Sequence, residues 1–280
     1  MSEPAAASTA VHAPAAEAPF NVSDLIMHHI TDSHVIEIPF THYEIPLPRL
    51  HIGSFDVSIT KHVVMMWIAC VLLFVLARLA ARRASDPVPT GWRNAFEVLI
   101  KYIRDEIVRK AIGHDADRYL SYLLTCFFFI WTCNLLGLVP SMSTPTSNIA
   151  VTAVLAIIAF VVIQVAGMIK FGVLKHLKHV VPGGLPLWLY PIMIPVEILG
   201  LFTKPFALCI RLFANMTAGH VVIIGLISLI FILQSPWVAA VSVPFTLFIF
   251  LLELLVCFIQ AFIFTMLVST FIGMSVHPAH

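Results

Sequence analysis

ALCIRLFANMTAGHVVIIGLISLIFILQSPWVAAV, residues 207–241, decides how this chain folds. Either side of Gln234-Ser235-Pro236 lies a very long apolar run, one over about 187–233 and the other over 238–274. At 1.5 Å per residue such helices reach about 70 and 55 Å, well beyond the ~30 Å hydrocarbon core of a bilayer. Pro191, Pro195 and Pro205 can kink the first and Pro244 the second, yet the lengths predict steep tilt rather than upright passage. Gln234-Ser235-Pro236 is the one plausible turn between the runs, so they form an antiparallel hairpin.

Working back towards the N-terminus, apolar runs over 63–79, 120–139 and 149–171 are each long enough to cross a bilayer once. Segment 92–112 differs. Ile100, Ile103, Ile107 and Val108 recur at helical spacing among Arg93, Lys101, Arg104, Asp105, Glu106, Arg109 and Lys110. That pattern predicts an amphipathic helix lying on a membrane surface, or else packed on a partner. The fold class is therefore an all-α polytopic membrane protein. It has five transmembrane helices and one amphipathic interfacial helix, and its last two helices are long, tilted and paired. Composition agrees: apolar residues make up 60% of the 280 and charged ones 11%, against about 25% charged in soluble domains. A net charge of +1 gives no reason to expect nucleic acid as a partner. No His/Cys spacing resembles a metal site, and no cofactor is implied. Cys70, Cys126, Cys133, Cys209 and Cys257 all lie in apolar segments and read as buried, inert thiols.

The chain divides at about residue 60. Residues 1–60 read as an outward-facing N-terminal segment, disordered up to Phe20 and lacking the basic stretch and apolar core of a signal peptide. Alternation over 51–59 suggests a short strand or hairpin. Residues 61–280 are the membrane domain. Lys and Arg crowd the linker between the first two spans (Arg78, Arg82, Arg83 and onward to Arg118) and that between the third and fourth (Lys170, Lys175, Lys178). Residues 140–148 and the Gln234 turn carry none. The positive-inside rule then sets the N-terminus outside and the C-terminus in the cytoplasm.

Few ionisable side chains lie deep in the hairpin: Glu197, Lys204, Arg211, His220 and Glu253, joined by Asn215 and Gln260. Each is costly in a membrane and marks a candidate ion pathway. His220 and Glu253 are symmetric about the turn, as are Arg211 and Gln260, so both pairs can share a depth. Arg211 and His220 are nine residues apart, about 900° of helix, and so point to opposite sides. His220 is then the residue facing Glu253. Arg211 faces elsewhere, with Asn215 one turn along and Ala214, Ala218 and Gly219 leaving room for another helix. Histidine beside a carboxylate suits proton transfer. A guanidinium, always charged, forces a neighbouring carboxyl to ionise. Because no carboxyl lies within one turn of Arg211 in this chain, that carboxyl should belong to a partner. Plainer readings stand beside these: His220–Glu253 as a structural pair, Lys204 snorkelling to an interface, Asn134 as a hydrogen bonder in helix packing.

At these residues the chain resembles subunit a of the F-type ATP synthases. The motif is Arg211-Leu212-Phe213-Ala214-Asn215-Met216-Thr217-Ala218-Gly219-His220, with Glu253 through Gln260-Ala261-Phe262-Ile263-Phe264, Glu197 through Lys204-Pro205, and Asn134-Leu135-Leu136-Gly137-Leu138-Val139-Pro140. The resemblance implies a proton-channel subunit of the bacterial cell (inner) membrane that does no catalytic chemistry itself. It implies as partners the c-ring, the b subunits of the peripheral stalk and membrane lipids. Arg211 would separate two offset half-channels, with Asn215, His220, Glu253 and Gln260 lining the outer one and Glu197 the inner. Several bacterial relatives carry Glu where this chain has His220, and His where it has Glu253. The exchange keeps one acid and one imidazole across the hairpin.

Two other readings remain open on sequence. A secondary proton-coupled transporter would also bury Arg, His and Glu, but such folds often show internal repeats, and none relates the halves here. A quinone-linked respiratory subunit predicts paired histidines within spans, whereas His220 is the one histidine deep in a span. The chain has no Walker-type phosphate loop.

Overall fold

The computed structural model describes residues 35–37, 44–48, 51–52, 55–56, 58–81, 91–139, 142–173 and 190–277. The stretch up to Phe20, read as disordered, lies outside the described residues, as do Arg82, Arg83, Lys175 and Lys178.

Among the described residues, two small antiparallel strand pairs precede the helices. Strand β1 (Val35–Glu37) pairs with β2 (Glu44–Pro46), Ile36 opposite Ile45. Strand β3 (His51–Ile52) pairs with β4 (Phe55–Asp56), where the alternating pattern had suggested a hairpin.

Everything described after Thr60 is helical or connects helices. Helix α1 spans Lys61–Ala81. Helix α2 (Trp92–Tyr102) runs through a π-helical turn, Ile103–Val108, into α3 (Arg109–Ile112). Gly113, at φ 77°, ends it by taking the left-handed conformation that a side chain resists. After a 3-10 turn (Gly113–Asp115) the chain reverses into α4 (Ala116–Gly137). Helix α5 covers Ile149–Phe171; its Asn148 cap accepts a hydrogen bond from the Ala150 amide at 2.9 Å. Helices α6 (Tyr190–Leu233) and α7 (Pro236–Val276) are 44 and 41 residues long, about 66 and 62 Å at 1.5 Å per residue. Pro195, Pro205 and Pro244 fall inside them without ending them. Gln234, at φ 44°, makes the turn, and Pro236 opens α7 where its missing N–H costs nothing.

Among the described residues, five helices are long and apolar enough to cross a membrane, as expected. Large apolar side chains stay exposed along them, among them Trp67, Phe74, Ile157, Phe202, Phe206, Phe245 and Leu251. Water would not tolerate so broad an apolar surface, whereas lipid would. Helix α7 packs against α4, α5, α6 and the α2–α3 segment. The buried core joins Ile103, Val108 and Ile112 to Leu123, Phe127, Leu212, Phe264, Val268 and Ile272. On α5, buried Ala156, Ala159, Ala166 and Gly167 let neighbouring backbones approach.

The amphipathic helix forms as the spacing predicts, but much of its apolar face is taken up by protein. Ile103, Ile107, Val108 and Ile112 are buried, and the Tyr102 ring stacks at 6.3 Å on Phe262 of α7. Its polar face carries pairs such as Lys101–Glu97 at 2.6 Å and Arg109–Asp105 at 3.0 Å. The cysteines need a correction. Cys133, Cys209 and Cys257 are buried, but Cys126 is half-buried and Cys70 is exposed on α1. Helix α1 packs chiefly on α4, so most of its circumference faces outward.

Candidate functional site in the helical hairpin

Four contacts fix the hairpin register. From the turn outward, Ser242 Oγ donates to the Leu226 carbonyl (2.6 Å), His220 Nε2 lies 4.0 Å from Glu253 Oε1, Asn215 Nδ2 donates to Gln260 Oε1 (2.8 Å), and the Lys204 ammonium sits 5.1 Å from the Phe271 ring centroid. Each pair is nearly symmetric about Ser235-Pro236, the register expected from the sequence.

Glu253 is buried, and neither carboxyl oxygen has a hydrogen bond. Its carboxyl lies against Gly219, where a Cβ would collide with it. The glycine is therefore what lets an acid reach the backbone of α6. His220 and Glu253 border a cavity of about 640 Å³. That cavity runs from Ile230 and Val243 near the turn, past Ile227, Ile224 and Thr246, to the pair itself, with Leu138 and Met142 on another side. A buried carboxyl left without a hydrogen bond is costly unless its proton or water can reach it.

Arg211 is half-buried and makes no hydrogen bond or ion pair among the described residues. Ile210, Ala214, Asn215 and Ala218 beside it are exposed, so the guanidinium borders an open, narrow-profiled strip of α6. His220, by contrast, turns to Glu253 of α7. Gln260, expected from its distance to the turn at a depth matching Arg211, takes its hydrogen bond from Asn215, one turn along α6. Asn215 lies only about 40° round the helix from Arg211 and can reach both sides.

Glu197 is not brought into this group. It lies about 21 Å along α6 from Arg211, on nearly the same face because fourteen residues make close to four turns. It is half-buried and forms no ion pair with Lys204. Lys204 instead covers Phe271, a cation–π contact. Asn134 accepts a hydrogen bond from Thr146 Oγ1 at 2.6 Å, so it ties α4 to the connection that follows it rather than to another spanning helix. Among the described residues no His, Cys, Asp and Glu gather as a metal site would require.

Sequence reasoning missed the connection between α4 and α5. Ser143, Thr144, Pro145, Thr146 and Ser147 are buried, and Thr144 Oγ1 lies 2.5 Å from His220 Nε2. The polar run Ser143-Thr144-Pro145-Thr146-Ser147-Asn148 between two spans was its visible signal.

The family model described as ATP synthase A chain matches residues 63–273. ATP synthase subunit a 2 of Chlorobaculum tepidum is 49% identical over 268 residues, covering 93% of this chain and 75% of its own length. ATP synthase subunit a of Pelodictyon phaeoclathratiforme is 50% identical, covering 99% of this chain and 82% of its own. That of Myxococcus xanthus is 53% identical over 237 residues, covering 84% and 78%.

Proposed function

The chain belongs to the ATP synthase A chain family, and from that premise we propose that its α6–α7 hairpin provides two offset proton paths separated by Arg211. As a member it is a membrane-embedded, proton-translocating subunit of the ATP synthase complex and does no nucleotide chemistry itself. A secondary transporter is not favoured.

The observation that carries the proposal is Arg211 itself: a permanent cation, half-buried in an apolar helix, paired with nothing among the described residues and bordered by exposed Ala214 and Ala218. Its counter-charge then comes from outside the chain, from a carboxylate on the c-ring moving past the strip. At an effective dielectric of about 20, two unit charges 4 Å apart attract by about 4 kcal/mol, which changes a carboxyl's proton affinity by roughly a thousandfold. A c-ring carboxyl arriving protonated gives up its proton beside Arg211. The proton leaves by the inner path, for which Glu197 is the candidate.

Once past the arginine, the carboxylate takes a new proton from the outer path. The cavity reaching from the hairpin turn to His220 and Glu253 suits that path, with Asn215 and Gln260 between it and Arg211. Helices longer than 60 Å tilt to keep their apolar length within a bilayer, which brings the two paths to different depths. The N-terminal 60 residues and the hairpin turn face outside and the C-terminus faces the cytoplasm of a bacterial inner membrane. The b subunits and lipids cover the remaining apolar surface.

The test is Arg211→Ala in vesicles holding the whole complex. ATP-driven proton pumping should vanish while the subunit still copurifies with a ring of small c subunits. Full coupled pumping by that variant would overturn the proposal.

A further inference from the structure

The α4–α5 connection is built around one hydroxyl. Thr144 is 2% exposed, and its Oγ1 lies 2.5 Å from His220 Nε2. That nitrogen is also the one 4.0 Å from Glu253 Oε1. Three features hold the threonine there. Its carbonyl accepts from both the amide (3.0 Å) and the Oγ (2.7 Å) of Ser147. Pro145 follows it and restricts its backbone. Gly137 makes room, since a Cβ at that position would collide with the Thr144 side chain.

A threonine hydroxyl both donates and accepts. It donates to Nε2 when the ring is neutral with its proton on Nδ1, and accepts from Nε2–H once that nitrogen is protonated. The hydroxyl can therefore keep one ring orientation through a cycle of proton uptake and release, which a fixed donor or acceptor cannot do. Among the described residues lining the cavity, Glu253 from α7 is the one ionisable group besides His220; α4 and the connection contribute none. We infer that Thr144 is a positioning residue for proton transfer: its hydroxyl keeps Nε2 of His220 close to Glu253 in both protonation states. This rests on the reading of His220 and Glu253 as the outer path.

Valine and serine separate this role from packing. Thr144→Val keeps the side chain's shape and loses the hydroxyl; Thr144→Ser does the reverse. Both are assayed as ATP-driven proton pumping by the whole complex in vesicles, normalised to subunit content. Thr144→Val should slow pumping about tenfold, as expected for a lost buried hydrogen bond, and Thr144→Ser should run near the parent rate. In a His220→Ala background, Thr144→Val should add no further loss. Should Thr144→Val not assemble, Thr144→Ala takes its place with the same expected slowing. Parent-like pumping by the hydroxyl-free variant, a serine variant as slow as the valine one, or an undiminished effect without His220 would each overturn the inference. Parent-like pumping by His220→Ala alone would instead remove the outer-path reading, and the inference with it.

Discussion

Gly219 and Glu253 make one functional unit at the smallest scale. The carboxyl occupies the space a side chain at 219 would need, so Gly219→Ala should leave the hairpin folded while pushing the acid off its seat beside His220. The end of a glutamate can move, which makes the substitution mild for stability and severe for geometry. The expected outcome is severalfold slower pumping with normal subunit content, read in vesicles. The His220–Glu253 pair makes a second prediction: if acid and imidazole work together, the double exchange His220→Glu with Glu253→His should recover part of the activity that either single change loses. This pair is legible in the sequence, because the distance of each residue from the turn sets its depth and helix phase sets its direction. The partner of Gln260 is not. Arg211 and Asn215 sit one turn apart on nearly the same face of α6, and only packing decides which of them the amide meets. Thr144 is illegible for a different reason: its contact with His220 spans 76 positions and obeys no helical period.

Gly273 plays a comparable part between elements. A Cβ there would strike the Ala111 carbonyl oxygen, a backbone atom that cannot swing aside. Gly273→Val should therefore prise the α2–α3 segment from α7, at a cost of about 1–3 kcal/mol, measured as a lower melting temperature of the detergent-solubilised complex. A parent-like melting temperature would show that the contact yields without loss. Periodicity correctly announced an amphipathic helix over 92–112, and its charged face is as solvated as the pattern implied. What periodicity cannot say is what meets the apolar stripe; here α7 and α4 do. Nor could it show the π-helical turn at Ile103–Val108, which brings Ile107 and Val108 inward together. The exposed Cys70 teaches the same lesson. An apolar neighbourhood in sequence gives membrane residence, and helix–helix burial is a separate fact.

Across the whole molecule, Asp115 ties together segments far apart in the chain. It follows α3, pairs with Lys170 at the end of α5 at 2.6 Å, and lies 3.7 Å from His277 beyond α7. The Lys170 ammonium, by hydrogen bond and charge, holds the Asp115 carboxyl below its ordinary range, with smaller help from His277 and Arg118. A lowered carboxyl stabilises above its unfolded-state value and loses that contribution as pH falls through the folded one. Acidification should therefore loosen this end of the bundle, and Asp115→Asn should flatten that acid sensitivity, read as subunit release from the complex against pH. The buried α4–α5 connection carries a consequence of another kind. Connections between helices are ordinarily where chains vary in length, accept tags and are cut by proteases. Residues 143–147 are interior, and Thr144 among them touches His220. Chain length at this point is accordingly under the same constraint as a core side chain. A single added residue here should damage proton passage, which makes this short connection a poor place for a label and a revealing one for a deletion.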